Sequence, residues 1–145
     1  MTELVLILTI AGRRCALRAP DVHSVVELGT VTPVPRAPEF VVGLTALRSS
    51  AMTVIDCARA IGLSAQASLE RGSRAAVVST QGHLYALFVD RVEDVAEALG
   101  TPTGVPGEAG PGWEEVSAGM IETTRGPALL IEVDALLRGS RAEAA

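Results

Sequence analysis

"RVEDVAEAL" (residues 91–99) can be read as an amphipathic helix or as a strand, and the choice decides the class of the fold. Sliding the sequence against itself by 70 positions settles it. Gly12, Ala16, Leu17, Val22, Val25 and Glu27 then fall on Gly82, Ala86, Leu87, Val92, Val95 and Glu97. Six identities over 16 positions exceed the roughly one or two that chance supplies. The equivalent of the ambiguous stretch is "DVHSVVELG" (residues 21–29), whose Val-Val-Glu-Leu favours a strand. Residues 91–99 are therefore expected to be a strand, and the chain to be all-β.

The rest of the sequence agrees. "ELVLILTI" (residues 3–10) and "RCAL" (residues 14–17) flank a turn at Gly12 and pair as a hairpin. "AAVVST" and "HLYALFVD" do the same around Gln81-Gly82. "VVGLTAL" and "AMTVIDC" are strands joined across Arg48-Ser49-Ser50, and "VSAGMIET" and "PALLIEV" are the last two. Pro33, Pro35 and Pro38 forbid a long helix in "TPVPRAPEF" (residues 32–40). "ARAIGL" (residues 58–63) is a short helix stopped at Gly62, and "DALLRG" (residues 134–139) is a second one capped by Asp134. Residues 64–73 read as a surface loop, residues 100–112 as an irregular Gly/Pro loop, and residues 140–145 as a frayed end. The repeat implies two similar β units, near residues 4–63 and 74–138, within one domain. Closing each into a small barrel would remove exposed edges.

Composition excludes several functions. The 12 basic residues are all arginine and the net charge is −5. No basic cluster exceeds Arg13-Arg14 and aromatics are 3% of the chain, so a nucleic-acid footprint is unsupported. No apolar run approaches the roughly 20 residues of a membrane span, and no signal peptide is apparent. Two isolated cysteines, Cys15 and Cys57, suit a reducing cytoplasmic interior and small buried hydrophobes. With only His23 and His83 beside them, no metal site or other cofactor is expected.

No nucleophile elbow, phosphate loop or zinc-protease motif occurs. A Cys15 or Cys57 dyad with His23 or His83 has no spacing to support it. Adjacent carboxylates such as Glu93-Asp94 and Glu114-Glu115 point to opposite faces of a strand. Asp56 and Asp90 end apolar strands and are expected to accept backbone hydrogen bonds in the turns that follow. The chain is not expected to be an enzyme.

Arg48 is the one cation within "PEFVVGLTALRSSAMTVIDC" (residues 38–57), and it sits in a recognisable pattern. Residues 31–63 resemble the CheW family of chemotaxis coupling proteins. That family reads Val-Pro-x-x-Pro-x-Phe, then Gly-x-x-x-Leu-Arg-Gly, then an apolar strand closing in Pro-x-x-Asp-Leu. Val34-Pro35, Pro38-Glu39-Phe40, Gly43, Leu47-Arg48 and Val54-Ile55-Asp56 match in order without gaps. "DVHSVVEL", "HLYALFVDRVEDV" and "PALLIEVDALL" resemble further family segments, so the likeness covers nearly the whole chain. Four positions depart from the pattern: Ala46, Ser49, Thr53 and Cys57 stand where the family usually has Asn, Gly, Pro and Leu. Serine in place of glycine at residue 49 would resist a positive φ and divert the loop.

The resemblance implies two five-stranded β-barrels packed side by side, with short helices after the fourth or fifth strand and at the C-terminus. It implies a cytoplasmic, non-enzymatic scaffold in receptor arrays, bridging the helical tip of a chemoreceptor to the regulatory domain of a CheA-type histidine kinase. Carried over by position, the receptor groove between the barrels would involve Val25, Glu27 and Arg48, with Gly43 shaping a neighbouring strand. The kinase contact would be apolar barrel surface. A guanidinium at a groove rim holds a carboxylate or backbone carbonyls bidentately; the bland alternative is an internal Arg48–Glu27 pair worth about 0–1 kcal/mol. Rival readings are an adaptor of the same fold serving pilus motility or development, and a β-barrel ligand-binding module. The latter needs a polar-lined pocket that the sequence does not suggest.

Overall fold

A computed structural model of the chain describes residues 3–63, 73–104 and 110–144. In chain order it contains β1 (Leu4–Ile10), β2 (Arg13–Arg18), a 3₁₀ turn (Ala19–Asp21), β3 (Val22–Glu27), β4 (Val41–Leu47), β5 (Ser50–Asp56), α1 (Cys57–Ile61), β6 (Arg74–Thr80), β7 (His83–Phe88), β8 (Arg91–Glu97), α2 (Pro111–Val116), β9 (Ser117–Thr123), β10 (Gly126–Ile131) and α3 (Val133–Ala144). The disputed stretch is a strand. The loop expected at residues 64–73 lies outside the described residues except for Ser73. Three expectations need correction: a helix starts at Pro111, inside the expected loop; the last helix starts at Val133, so Asp134 lies within its first turn and accepts from the Thr80 hydroxyl instead of capping the helix; and that helix continues to Ala144 where fraying was expected. Among the described residues no helix is long and apolar enough to cross a membrane.

The strands form two five-stranded sheets, ordered β8-β1-β2-β10-β9 and β3-β6-β7-β5-β4. The 70-residue offset carries β1, β2 and β3 onto β6, β7 and β8, and chain order then carries β4 and β5 onto β9 and β10. Under that mapping the two strand orders are identical. Each sheet takes its central hairpin from one repeat and its other three strands from the other repeat. In each, one parallel pair joins the two contributions: β2 with β10, and β7 with β5.

The inner strands, such as β1, β2, β6 and β10, are covered on both faces, which explains why they read as continuous apolar runs, whereas the edge strands β3, β4, β8 and β9 keep exposed residues. Along β1, Val5 and Ile7 point into the first sheet's inner core with Ala16, Ala96, Ile121 and Leu130. Leu6, Leu8 and Ile10 point the other way, into a larger core at the seam between the sheets. The second sheet repeats the scheme: Ala75, Val77 and Phe88 face its inner core, while Ala76, Val78 and Leu87 face the seam. Leu8, Ile10, Leu17, Leu129 and Ile131 are five seam side chains from the first sheet alone, each essentially buried. At about 1.5–3 kcal/mol apiece they oppose separation of the sheets by on the order of 10 kcal/mol.

The seam is capped by the three helices. Asp56, 5% exposed, caps α1 by accepting the Arg59 N–H through Oδ1 at 3.2 Å. Trp113 of α2 is buried in the seam core, with the Arg13 guanidinium 5.3 Å from its ring centre. Gly112 allows α2 to lie against α1, because a Cβ there would strike the Ile61 carbonyl. The Asp90 carboxylate accepts the Gly12 N–H at 2.7 Å and so holds the distant β1–β2 turn.

Candidate partner-binding site

The β4–β5 hairpin positions Arg48. Leu47 pairs with Ser50, so Arg48 and Ser49 alone make the turn, at φ 49° and 74°. Two consecutive positive φ values match the type I′ geometry whose twist suits a two-residue hairpin. The β1–β2 and β6–β7 turns, Ala11-Gly12 and Gln81-Gly82, have the same signature with glycine in second place. Ser49 therefore does not divert the loop as expected. It adopts the glycine conformation, at a backbone cost of about 1 kcal/mol.

The turn holds the Arg48 side chain exposed, and among the described residues it makes no ion pair, with Glu27 or any other acid. The internal Arg48–Glu27 pair is therefore not formed. Across from the turn lies β3, where exposed and partly buried residues alternate. Val25, 40% exposed, pairs with Ala76, and Glu27 pairs with Arg74. Paired residues share a face and Ala76 belongs to the seam core, so Val25 lies on the seam side of the second sheet.

Arg48 and Val25 line one hollow of about 420 Å³. One wall is His23, Ser24, Val25 and Val26 of β3; the other is Leu47, Arg48 and Ser50, with Leu84 of β7 between. Val26, Leu47 and Leu84 also pack on the second sheet's inner core, so the hollow opens at the mouth of that sheet. All its lining residues come from this one sheet, and none is acidic. Walls that mix aliphatic and hydroxyl side chains, under a guanidinium with no ion-pair partner among the described residues, suit a partner offering an apolar side chain beside an acceptor.

Glu27 and Gly43 stand outside the hollow. Glu27 is exposed at the end of β3. Gly43 is buried, and a Cβ there would collide with the Thr32 carbonyl, where the chain leaving β3 returns to β4 through reciprocal Thr32–Leu44 hydrogen bonds of 2.8 Å. The same device recurs in the first sheet: Gly119 makes room for the Thr103 carbonyl, and Thr103 and Met120 exchange bonds of 2.8 and 2.9 Å. Gly43 thus lets the segment that follows β3 run against the edge strand β4.

Ser24 was missed by the sequence reading. The available signal was a polar residue on a strand whose neighbours Val25 and Val26 read as apolar. Its Oγ is buried and has no hydrogen-bond partner among the described residues. The thiols play no part in the hollow. Both lie in the seam core; burial pushes Cys15 up to about 12 and Cys57 well above the ordinary thiol value. His23 and His83 are exposed, so no thiol–imidazole dyad exists. Among the described residues no group of three His, Cys, Asp or Glu is placed to hold a metal ion.

A family model described as "CheW-like domain" matches residues 4–141. The fold is similar to the crystal structure of the scaffolding protein TtCheW from Thermoanaerobacter tengcongensis, with a TM-score of 0.76 and 25% sequence identity over 90% of this chain and 89% of that one. No curated protein sequence matches significantly.

Proposed function

Because this chain belongs to the family of CheW-like domains, non-enzymatic scaffolds of chemotaxis, we propose that it couples chemoreceptors to a CheA-type histidine kinase. The receptor partner is the cytoplasmic helical tip, docked over the hollow between β3 and the β4–β5 turn. Val25 supplies apolar contact and Arg48 grips an acceptor of the helix. Glu27 flanks the approach on the seam side, and Gly43 fixes the sheet edge that carries the hairpin. The kinase partner is its regulatory domain, bound through apolar surface elsewhere on the sheets. Two interfaces of modest strength become firm within an array by raising each other's effective concentration. Cytoplasmic residence beside receptor arrays follows from those partners.

One observation carries the reading. On a chain of net charge −5, Arg48 stands at the rim of an acid-free hollow with no internal counter-ion among the described residues. Titrating the protein with the cytoplasmic helical hairpin of a chemoreceptor tests it. Arg48→Ala is expected to weaken binding about tenfold or more. The melting temperature should move by no more than about 1 °C. Unchanged affinity with a lowered melting temperature would assign Arg48 to structure instead.

A further inference from the structure

The two sheets are near repeats, and comparing them shows what the hollow lacks. By the 70-residue offset, Ser24 of β3 occupies the place of Asp94 of β8; the β4–β5 turn carrying Arg48 occupies the place of the β9–β10 turn carrying Arg125. In the first sheet these places are joined: Arg125 Nη2 donates to Asp94 Oδ2 at 3.2 Å, and Asp94 Oδ1 accepts the Val95 N–H at 2.7 Å. A carboxylate bridges edge strand and turn. In the second sheet the arginine remains, the carboxylate is replaced by a hydroxyl, and a hollow lies where the bridge would be.

The hydroxyl is itself incomplete. A β-bulge between Val22 and Ser24 shifts the register so that Ser24 faces Val77, whose side chain lies in the second sheet's inner core. Bulges of this kind re-aim a side chain. Here the re-aimed Oγ is buried, lines the hollow and has no hydrogen-bond partner among the described residues. Such a group costs stability in the free protein and calls for an explanation in terms of what completes it.

We propose that Ser24 and Arg48 together form a receptor for one carboxylate, supplied by an aspartate or glutamate on the docked partner helix. The proposal rests on the coupling reading above and deepens it. The guanidinium donates to one carboxylate oxygen and the Ser24 hydroxyl to the other, so the visiting acid stands where Asp94 stands in the first sheet. The charge of Arg48 and the absence of any acid in the lining exclude a basic side chain from that place. Val25, Leu47 and Leu84 receive the apolar neighbour of the acid on the same helical face. Ser24 is thus a specificity residue.

The test measures melting temperature and affinity for a chemoreceptor's cytoplasmic helical hairpin, comparing wild type with Ser24→Ala and Ser24→Asp. Ser24→Ala removes an unsatisfied hydroxyl, so its melting temperature should equal or exceed that of wild type while affinity falls about fivefold. Ser24→Asp restores the internal bridge to Arg48 and should abolish binding at concentrations that saturate wild type, with the fold retained. A destabilised Ser24→Ala that binds like wild type overturns the proposal, because the hydroxyl is then structural. Wild-type affinity in Ser24→Asp overturns it as well. Hairpin binding that is indifferent to residue 24 but lost on Arg48→Ala sinks this inference alone. A wild-type protein that does not bind the hairpin sinks the coupling reading with it.

Discussion

Ser49 holds a φ of 74° that glycine would adopt freely, so its side chain imposes a backbone cost on the turn that presents Arg48. Ser49→Gly is expected to raise stability by about 1 kcal/mol and the melting temperature by roughly 3 °C, as read by calorimetry. A fall would show that the hydroxyl compensates locally. Cys15 gives a pH dependence whose sign is fixed. Its folded pKa is pushed up to about 12, chiefly by burial, from an ordinary value of 9.0. Only the unfolded chain loses the proton in between. The thiol's contribution is therefore complete below about pH 9 and is lost as pH climbs toward 12, by at most about 1.4 kcal/mol per pH unit. Cys57 acts in the same direction. Urea titrations followed by Trp113 fluorescence should show that decline, and Cys15→Ala should flatten it. An equally steep decline in the variant would assign it to other groups.

At the level of single elements, the returning segments at Thr32 and Thr103 depend on glycine. Gly43→Ala and Gly119→Ala each force a Cβ against a backbone carbonyl that cannot swing aside. Each should cost about 2–4 kcal/mol in denaturant melts; losses below about 1 kcal/mol would mean that the returning segments detach easily. Most elements were legible in the sequence, because apolar runs between turn residues report burial on two faces, and the repeat resolved Arg91–Glu97. Helix α2 was not: "GPGWEEV" opens with loop-forming residues, and the helix forms because it buries Trp113 against the seam, which no local pattern encodes. Arg48 was legible only through the motif around it. Ser24 was hidden because a bulge changes which side chains point inward, and a bulge leaves little trace in an alternation of residue types.

For the whole molecule, the exchange of strands between repeats predicts how it divides. A cut between α1 and β6 leaves β1–β5 on one fragment and β6–β10 on the other, yet each sheet needs strands from both. Neither fragment alone is expected to show a cooperative melt, and an equimolar mixture should regain the intact protein's circular dichroism. A single fragment that melts cooperatively would contradict the topology described above. The same arrangement bears on how the protein is made. Strands β3 to β7 are consecutive, whereas β1 and β2 wait for β8 to β10 before their sheet is complete. On the ribosome, the middle of the nascent chain can close into a sheet while the first hairpin stays a half-finished surface, open to chaperones until β8 to β10 have emerged.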